Sequence, residues 1–419
     1  CTFCGFRRDH EDADSYTLNY EKIGEKIREL VAIGGTQILM QGGMNDRLPI
    51  EWYEELLRYI STNYPTVHIH AFSPPEIVEF ERFFGLDARD IIRRFKAAGL
   101  KTIPGGGGEI FAPRVRRRIG IGKCTGDDWL RIMRVAHEEG LDTSATMLIG
   151  HIETVQERIE HMGAIRAMQD YAHSLRHGPQ TASPACDLNL DLNPTADKLP
   201  GVFAKSGGDP SQFAAAPGHY TAFIHWPFQR ENVPLGRAKE YDPAKHGDFD
   251  TLENEDVARG RVVRSAGAKE YLKMLAIARL YFDNVANLQS SWVTMGPKIG
   301  QLALLYGAND MGGAMMEENV VSAAGTTYRL QVRELSRLIR DAGWIPAQRD
   351  QYYHVLKRWD GPDAPDLQPD PEAKLRTVGK MDDKQWIGTA PGIEATTVGD
   401  TKPLTAEGAS RLQLTVLGE

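Results

Sequence analysis

Cys1-Thr2-Phe3-Cys4 opens the chain with a Cys-x-x-Cys pair of thiols. Thiolates at this spacing hold soft metals or cycle between dithiol and disulfide. A zinc site would need one or two further Cys or His ligands at suitable spacing, and no such partner pair is evident. A thioredoxin-like pair should follow a strand and open a helix, and nothing upstream allows that to be judged. Iron–sulfur clusters take cysteine thiolates as their usual ligands, so cluster ligation is the third reading. Cys124 and Cys186 stand alone in the sequence. Four cysteines in 419 residues make no disulfide framework and suit a reducing cytoplasm.

Other reactive groups fall at the ends of apolar runs. His70, Ser73 and Glu76 follow one such run and could bind a hydroxyl or take a proton. Ser73-Pro74-Pro75-Glu76 also fits a capping box, whatever else these residues do. Gln41-Gly42-Gly43 ends another run, where a glycine pair is common as a plain turn. Gly105 to Gly108 could admit a ligand close to backbone, with Glu109 beside it or at the surface. No Lys-Ser or Lys-Thr follows, which argues against a nucleoside triphosphate loop. Thr146 to Glu153 reads as a buried strand running into a helix start, where Glu153 would face the positive end of the helix dipole. Trp226 and Trp292 could wall an aromatic substrate or simply fill the core. Asp310, after Gly307-Ala308-Asn309, could bind a hydroxyl, carry a proton or serve as a turn residue.

The elements that must position these groups alternate between helix and strand. Helices are predicted over 20–33, 52–60, 91–98, 129–139, 153–169, 269–282, 299–306 and 330–342 from their apolar periodicity. Strands are predicted over 37–40, 67–72, 100–103, 143–149, 220–226 and 287–293. This alternation implies an α/β fold with a parallel sheet and right-handed crossovers. Strands ending in Gly, Ser, His or Pro suit a barrel whose reactive groups sit at the C-terminal ends, with a doubly wound open sheet as the alternative. Residues 174–218 read as a surface insertion and 230–266 as a polar excursion. Neither is expected to enter the active site. From 357 to 419 the chain is rich in Asp, Pro, Gly and Thr and reads as an extended tail, so the barrel domain is drawn over 1–356.

Composition is that of an ordinary globular protein, 41 % apolar and 25 % charged, and the formal charge of −8 argues against nucleic acid as the main partner. No apolar run approaches the ~20 residues needed to span a bilayer. The chain starts at Cys1 without methionine or leader and reads as the remainder of a longer protein.

Taken together, the motifs resemble those of the radical S-adenosylmethionine enzymes. Cys1 and Cys4 resemble the second and third ligands of the signature Cys-x-x-x-Cys-x-x-Cys, whose first cysteine would lie four residues before Cys1. Gln41-Gly42-Gly43 resembles the element that binds the methionine amine of the cofactor. Thr146, Gly150 and Glu153 fall on a looser match to the Gly-x-Ile-x-Gly-x-x-Glu strand that packs near the adenine, with Thr146 replacing the first glycine. A narrower resemblance, to the dehypoxanthine futalosine cyclases of the futalosine route to menaquinone, covers the chain from Cys1 to about Tyr353. It rests on His68 to Ile77, Pro104 to Glu109, Phe223 to Gln229, Ser291 to Lys298, Gly307 to Gly313 and Glu317 to Val321.

The resemblance implies a TIM-type (β/α) barrel, eight-stranded once the missing N-terminal strand is restored, with a C-terminal extension. It implies a 4Fe–4S cluster on Cys1 and Cys4, with S-adenosylmethionine held by Gln41, Gly42, Gly43, Thr146, Gly150 and Glu153. It casts His70, Glu76 and Asp310 as catalytic. Ser73, Glu109, Trp226, Gln229, Trp292 and Asn309 become substrate contacts. Hydrogen abstraction from the 4′ carbon of dehypoxanthine futalosine would be followed by ring closure on the benzoate. An electron donor such as flavodoxin or ferredoxin, and a cytoplasmic location, are implied as well. Aminofutalosine synthase, a deazaflavin synthase subunit, or a non-catalytic zinc-binding or scaffold barrel are the alternatives.

Overall fold

Hydrophobic runs bounded by glycine and capping residues dictate the elements of the computed structural model, which describes residues 2–120, 124–177 and 216–369 and two short strands at Gln385–Trp386 and Thr396–Thr397. Helix α1 (Tyr20–Ala32), capped by Asn19 through Lys22, leads to β1 (Gln37–Met40). Then follow α2 (Ile50–Asn63), β2 (His68–Ala71), α3 (Pro74–Phe84), α4 (Ala88–Ala98) and β3 (Thr102–Ile103). After α5 (Pro113–Ile119) and α6 (Gly126–Glu138) comes the longer β4 (Asp142–Ile149), buried along nearly its whole length. Helix α7 (Val155–His177) precedes β5 (Tyr220–Pro227). Short strands β6 (Lys239–Glu240) and β7 (Val262–Val263) come before helix Ala268–Tyr281 and β8 (Asn287–Gln289). Helix Val332–Asp341 is followed by the hairpin β9 (Ala347–Arg349) and β10 (Val355–Arg358).

Strands β1, β2, β3, β4, β5 and β8 pair in that order, all parallel, as helix crossovers require. A parallel bridge between Gln289 and Asp310 marks a seventh position. Among the described residues β1 and β8 do not pair with each other, so this α/β barrel is open. Strand register then decides which residues look inward. On β4 and β5 the odd positions face the helices: His137 of α6 bonds Thr143 (2.8 Å), and His225 donates to Tyr271 O (3.1 Å). The even positions, including Thr146, Leu148 and Trp226, therefore line the interior, as do His70 and Thr102, which pair across β2 and β3.

Several expectations are corrected. The strand predicted over 287–293 stops at Gln289, because Ser291 starts a turn whose carbonyl accepts from Met295 N–H, opening helix Trp292–Met295. Helix α3 was not anticipated; Pro74 and Pro75 fit its first turn, where no N–H partner is needed. Helix α5 was also missed. The polar excursion over 230–266 has a small core of its own, Phe249, Val257 and Val262, beneath the β6–β7 pair. The insertion at 174–218 begins as the last turn of α7, and 178–215 lie outside the described residues. The proposed boundary at 356 falls inside β10, and Arg340 ties Asp366 (2.6 Å) and Trp359 O (2.8 Å) back to the helix Val332–Asp341. The tail from 370 lies outside the described residues apart from its two short paired strands.

Candidate functional site

The C-terminal ends of β1 and β2 are locked together by one carboxylate. Gly42 N–H donates to Glu76 Oε1 (2.9 Å), while Ser73 N–H (2.7 Å) and Oγ–H (2.6 Å) donate to Oε2. The capping box is therefore real, and its glutamate also braces the turn after β1. Burial pushes the Glu76 carboxyl up to about 7 against the pull of these three hydrogen bonds. Glu76 and Ser73, read from the sequence as catalytic and substrate-binding, shape this loop.

The two glycine segments differ in kind. A Cβ on Gly42 or Gly43 would meet nothing within 4 Å, so the turn faces open space. Gly105 to Gly108 are instead packed solid. A Cβ on Gly105 would lie 2.5 Å from Ser144 O, and one on Gly108 2.8 Å from Thr146 O. Gly106 and Gly107 would collide with the side chains of Gln41 and Pro75. These glycines serve close packing of three loops, not approach of a ligand. Thr146 Oγ1 adds to the lock by donating to Gly105 O (2.5 Å), and Arg116 donates to Gly107 O (3.1 Å) and Gly108 O (2.9 Å).

Glu109 is buried beside this loop, not at the surface, and burial raises its carboxyl to about 7 despite Arg116 and the Gly107 N–H. It adopts φ +45°, and Phe72 at the end of β2 adopts φ +60°. Tyr353, at +67°, lies in the segment that fills the barrel from the other side. Phe72 packs outward on Tyr53, Phe80 and Phe95, so among the described residues the strained positions next to the interior are Glu109 and Tyr353, the kind of strain that clusters at working sites.

After β4, Gly150 needs its φ of +85° and has Ala266 where a Cβ would sit. Glu153 accepts from Gly150 N–H (2.6 Å) and His151 N–H (2.9 Å) and pairs with buried Arg158 (2.7 Å). Burial raises the Glu153 carboxyl, but His151, Arg158 and the two amides outweigh it and hold it below its usual range. Glu153 thereby shapes this turn.

On the interior face, Trp226 lies half-buried next to Leu148, whereas Trp292 is only 2 % exposed and packs on Gly300. Trp292, expected from the sequence either to wall the substrate or to fill the core, is buried in the core. Asn309 holds local backbone. Its side chain accepts from Leu288 N–H (2.9 Å) and Arg279 (3.0 Å) and donates to Asn287 (3.0 Å), clamping β8. Asp310 pairs with Arg349 (2.5 Å) and accepts from the Tyr353 hydroxyl (2.8 Å). Arg349 also stacks over the Tyr353 ring, 4.0 Å from its centroid. Neither partner was singled out in the sequence. His70 is buried and bonds Thr102 Oγ1 (2.6 Å), with Gln351 Nε2 3.5 Å from its other nitrogen. Desolvation lowers its imidazole to about 3, so it is neutral at physiological pH.

Cys4 is a free, partly buried thiol, while Cys1 lies outside the described residues. The loop that carries Cys4 is pinned by Thr2 N–H to Ile119 O (2.9 Å) and by Leu235 N–H to Thr2 O (2.8 Å), and Gly5 abuts Ala323. Next to these anchors a cavity of about 400 Å³ opens between the ends of β5 and β8, lined by Gln229, Arg230, Glu231, Ala266, Thr294 and Thr326 among others. Arg230, Ser265 and Ala266 belong to the polar excursion, which therefore does border the strand-end cavity. A free thiol and an open, side-chain-free turn fit a thiolate-ligated cluster and its cofactor. Among the described residues no group of three or more His, Cys, Asp or Glu is placed to hold a metal ion, and no helix is long and apolar enough to cross a membrane.

Residues 1–165 match the radical SAM superfamily, and residues 217–360 match the CofH/MqnC C-terminal region. A cyclic dehypoxanthine futalosine synthase of Halalkalibacterium halodurans is 35 % identical over 87 % of this chain and 80 % of its own. A 5-amino-6-(D-ribitylamino)uracil–L-tyrosine 4-hydroxyphenyl transferase of Methanopyrus kandleri is 33 % identical over 85 % of this chain and 80 % of its own. An aminodeoxyfutalosine synthase of Thermus thermophilus is 32 % identical over 86 % and 80 %. With relatives this similar along most of both lengths, the chain belongs to the radical S-adenosylmethionine superfamily, within the group that carries the CofH/MqnC C-terminal region.

Proposed function

We propose that this chain is a cyclase that converts dehypoxanthine futalosine to cyclic dehypoxanthine futalosine in menaquinone biosynthesis. The observation that carries the reading is the similarity to the H. halodurans synthase along 87 % of the chain. Cys4, together with Cys1, would ligate the 4Fe–4S cluster, and the open turn at Gly42 and Gly43 would receive the methionine end of S-adenosylmethionine. When bound, the two supply a 5′-deoxyadenosyl radical that removes a hydrogen atom from the substrate. The chain's own residues do the rest. Trp226 presents a ring edge or face to the aromatic part of the substrate, Gln229 offers its amide at the cavity, and the packed interior excludes water. His70, neutral and buried, takes up the proton released on ring closure. The electron donor is a small one-electron carrier such as flavodoxin or ferredoxin, and the enzyme works in the cytoplasm.

The similarity to the transferase and to aminodeoxyfutalosine synthase, at 33 % and 32 % identity, favours a second reading in which a radical joins two fragments. Anaerobic reconstitution followed by mass analysis separates them. The cyclase turns dehypoxanthine futalosine into a product lighter by two hydrogens and moves deuterium from the 4′ position into 5′-deoxyadenosine, and Cys4→Ala abolishes cluster iron and turnover together. An adenosylated product, or 5′-deoxyadenosine without deuterium, refutes the cyclase reading.

A further inference from the structure

We propose that Glu231 is a specificity-determining residue of the cavity at the ends of β5 and β8, where its carboxylate holds two neighbouring hydroxyls of the substrate's ribose-derived ring. The proposal rests on the cyclase reading and says which end of that substrate the cavity takes. Two charged side chains line the cavity, Arg230 and Glu231. A guanidinium has five N–H donors, and those of Arg230 are all committed. Its Nε donates to Gly236 O (3.3 Å), its Nη2 to Gly236 O (3.0 Å) and Ala238 O (2.5 Å), and its Nη1 to Ser265 Oγ (3.4 Å) and to Glu240, which also neutralises its charge. Arg230 therefore has no donor left for an anionic ligand group.

Glu231 has no hydrogen-bond or ion-pair partner among the described residues. The cavity thus presents one uncommitted charge, and it is negative. An ionised carboxylate only accepts hydrogen bonds. It repels the benzoate end of the substrate and favours a group that offers two donors at once. Neighbouring hydroxyls do so, one to each oxygen, as charge-assisted hydrogen bonds.

The rest of the wall suits the same ligand. Gln229 Oε1 accepts from the Thr326 hydroxyl (3.2 Å) and its Nε2 donates to Pro227 O (3.0 Å), which leaves the amide one N–H and one lone pair for a ligand. The Thr327 hydroxyl, without a partner among the described residues, can both donate and accept. Gly325, at φ +95°, leaves room for the carboxylate, since a Cβ there would lie 2.2 Å from Glu231 Oε2. The wall also reaches the cluster loop. Asn232 Nδ2 donates to Ala323 O (3.2 Å), against which Gly5 packs, and Leu235 N–H donates to Thr2 O (2.8 Å). A sugar ring held here lies beside the loop that carries Cys4, as removal of its hydrogen atom requires. Trp226, immediately before the cavity residue Pro227, is left for the aromatic ring.

Calorimetry on the holoenzyme, with S-adenosylmethionine bound and no reductant, compares dehypoxanthine futalosine with its 2′-deoxy and 3′-deoxy analogues. The parent should bind each analogue about ten- to a hundredfold more weakly, the worth of a hydrogen bond to a charged group. Glu231 is exposed, so Glu231→Ala leaves the core intact, and it should bind substrate and analogues alike. Gly325→Ala pushes the carboxylate aside and should narrow the same gap in the parent, but add nothing once Glu231 is Ala. The affinity for S-adenosylmethionine itself should be the same in parent and Glu231→Ala. A gap between substrate and analogues that survives Glu231→Ala overturns the site. So does a loss of S-adenosylmethionine affinity with that gap intact, which assigns the carboxylate to the cofactor's own hydroxyls or ammonium group. A parent that cyclises dehypoxanthine futalosine once reductant is added, yet binds the analogues equally well, overturns the site alone. A parent that fails to cyclise it overturns the cyclase reading itself.

Discussion

Glu76 offers a test of the strand-end geometry that needs no substrate. Its carboxyl is 3 % exposed and is raised to about 7 in the folded protein, against 4.5 for the free side chain. The folded state therefore holds this proton more tightly than the unfolded chain does. Stability from Glu76 is fully present below the unfolded pKa and is lost as the pH rises through the folded value. A shift of this size corresponds to about 3 kcal/mol, withdrawn between about pH 4 and pH 8. Glu109, with a similar value, adds a loss of the same sign, while His68 and His70, depressed in the fold, act in the opposite direction at lower pH. The difference between parent and Glu76→Gln isolates one group. The amide cannot ionise, but its NH2 faces a backbone N–H on either side, Gly42 or Ser73, which costs about 1–3 kcal/mol. Urea unfolding of the cluster-free, reduced protein should therefore show Glu76→Gln less stable at pH 5 and the gap closing or reversing by pH 8. A gap that is the same at both pH values refutes the view that Glu76 is a buried carboxyl shaped by desolvation.

The two glycine segments should respond oppositely to the same change: Gly105→Ala meets Ser144 O and should lower stability by about 1–3 kcal/mol in denaturant unfolding. Gly42→Ala finds empty space, so its unfolding midpoint should match the parent, while S-adenosylmethionine binding by calorimetry weakens if the methionine end lies there. Trp292→Ala should unfold the protein more readily by about 3–5 kcal/mol. Trp226→Ala should lower turnover more than stability, measured as kcat against the urea midpoint, because misplaced reacting atoms are expensive in rate.

Much of the framework was legible because its signals are local. The run Thr143 to Ile149 ends at a glycine and follows a helix, so β4 is readable from a few residues of context. The Ser73–Glu76 capping box lies within one turn and forms as read, since its partners are three residues apart. Cys1-x-x-Cys4 and Gln41-Gly42-Gly43 carried the superfamily for the same reason: their spacing is short and survives wherever the fold places them. What only the tertiary structure decided is which side of each element a group faces and what it meets there. Gly42 and Gly105 are the same residue at the same kind of strand end, yet one faces space and the other the backbone of β4. Trp226 lies within β5 and Trp292 just after β8, where an early turn at Ser291 buries it. Asp310 could be a hydroxyl contact, a proton carrier or a turn residue on sequence alone, because Arg349 and Tyr353, which hold it, lie 39 and 43 residues further along. Thr102 was passed over as an ordinary strand residue until β2 and β3 paired and set its hydroxyl between two imidazoles. Side-chain type and short spacing survive in the chain itself, whereas a buried group's partner is chosen by strand register and packing, which connect residues the sequence keeps far apart.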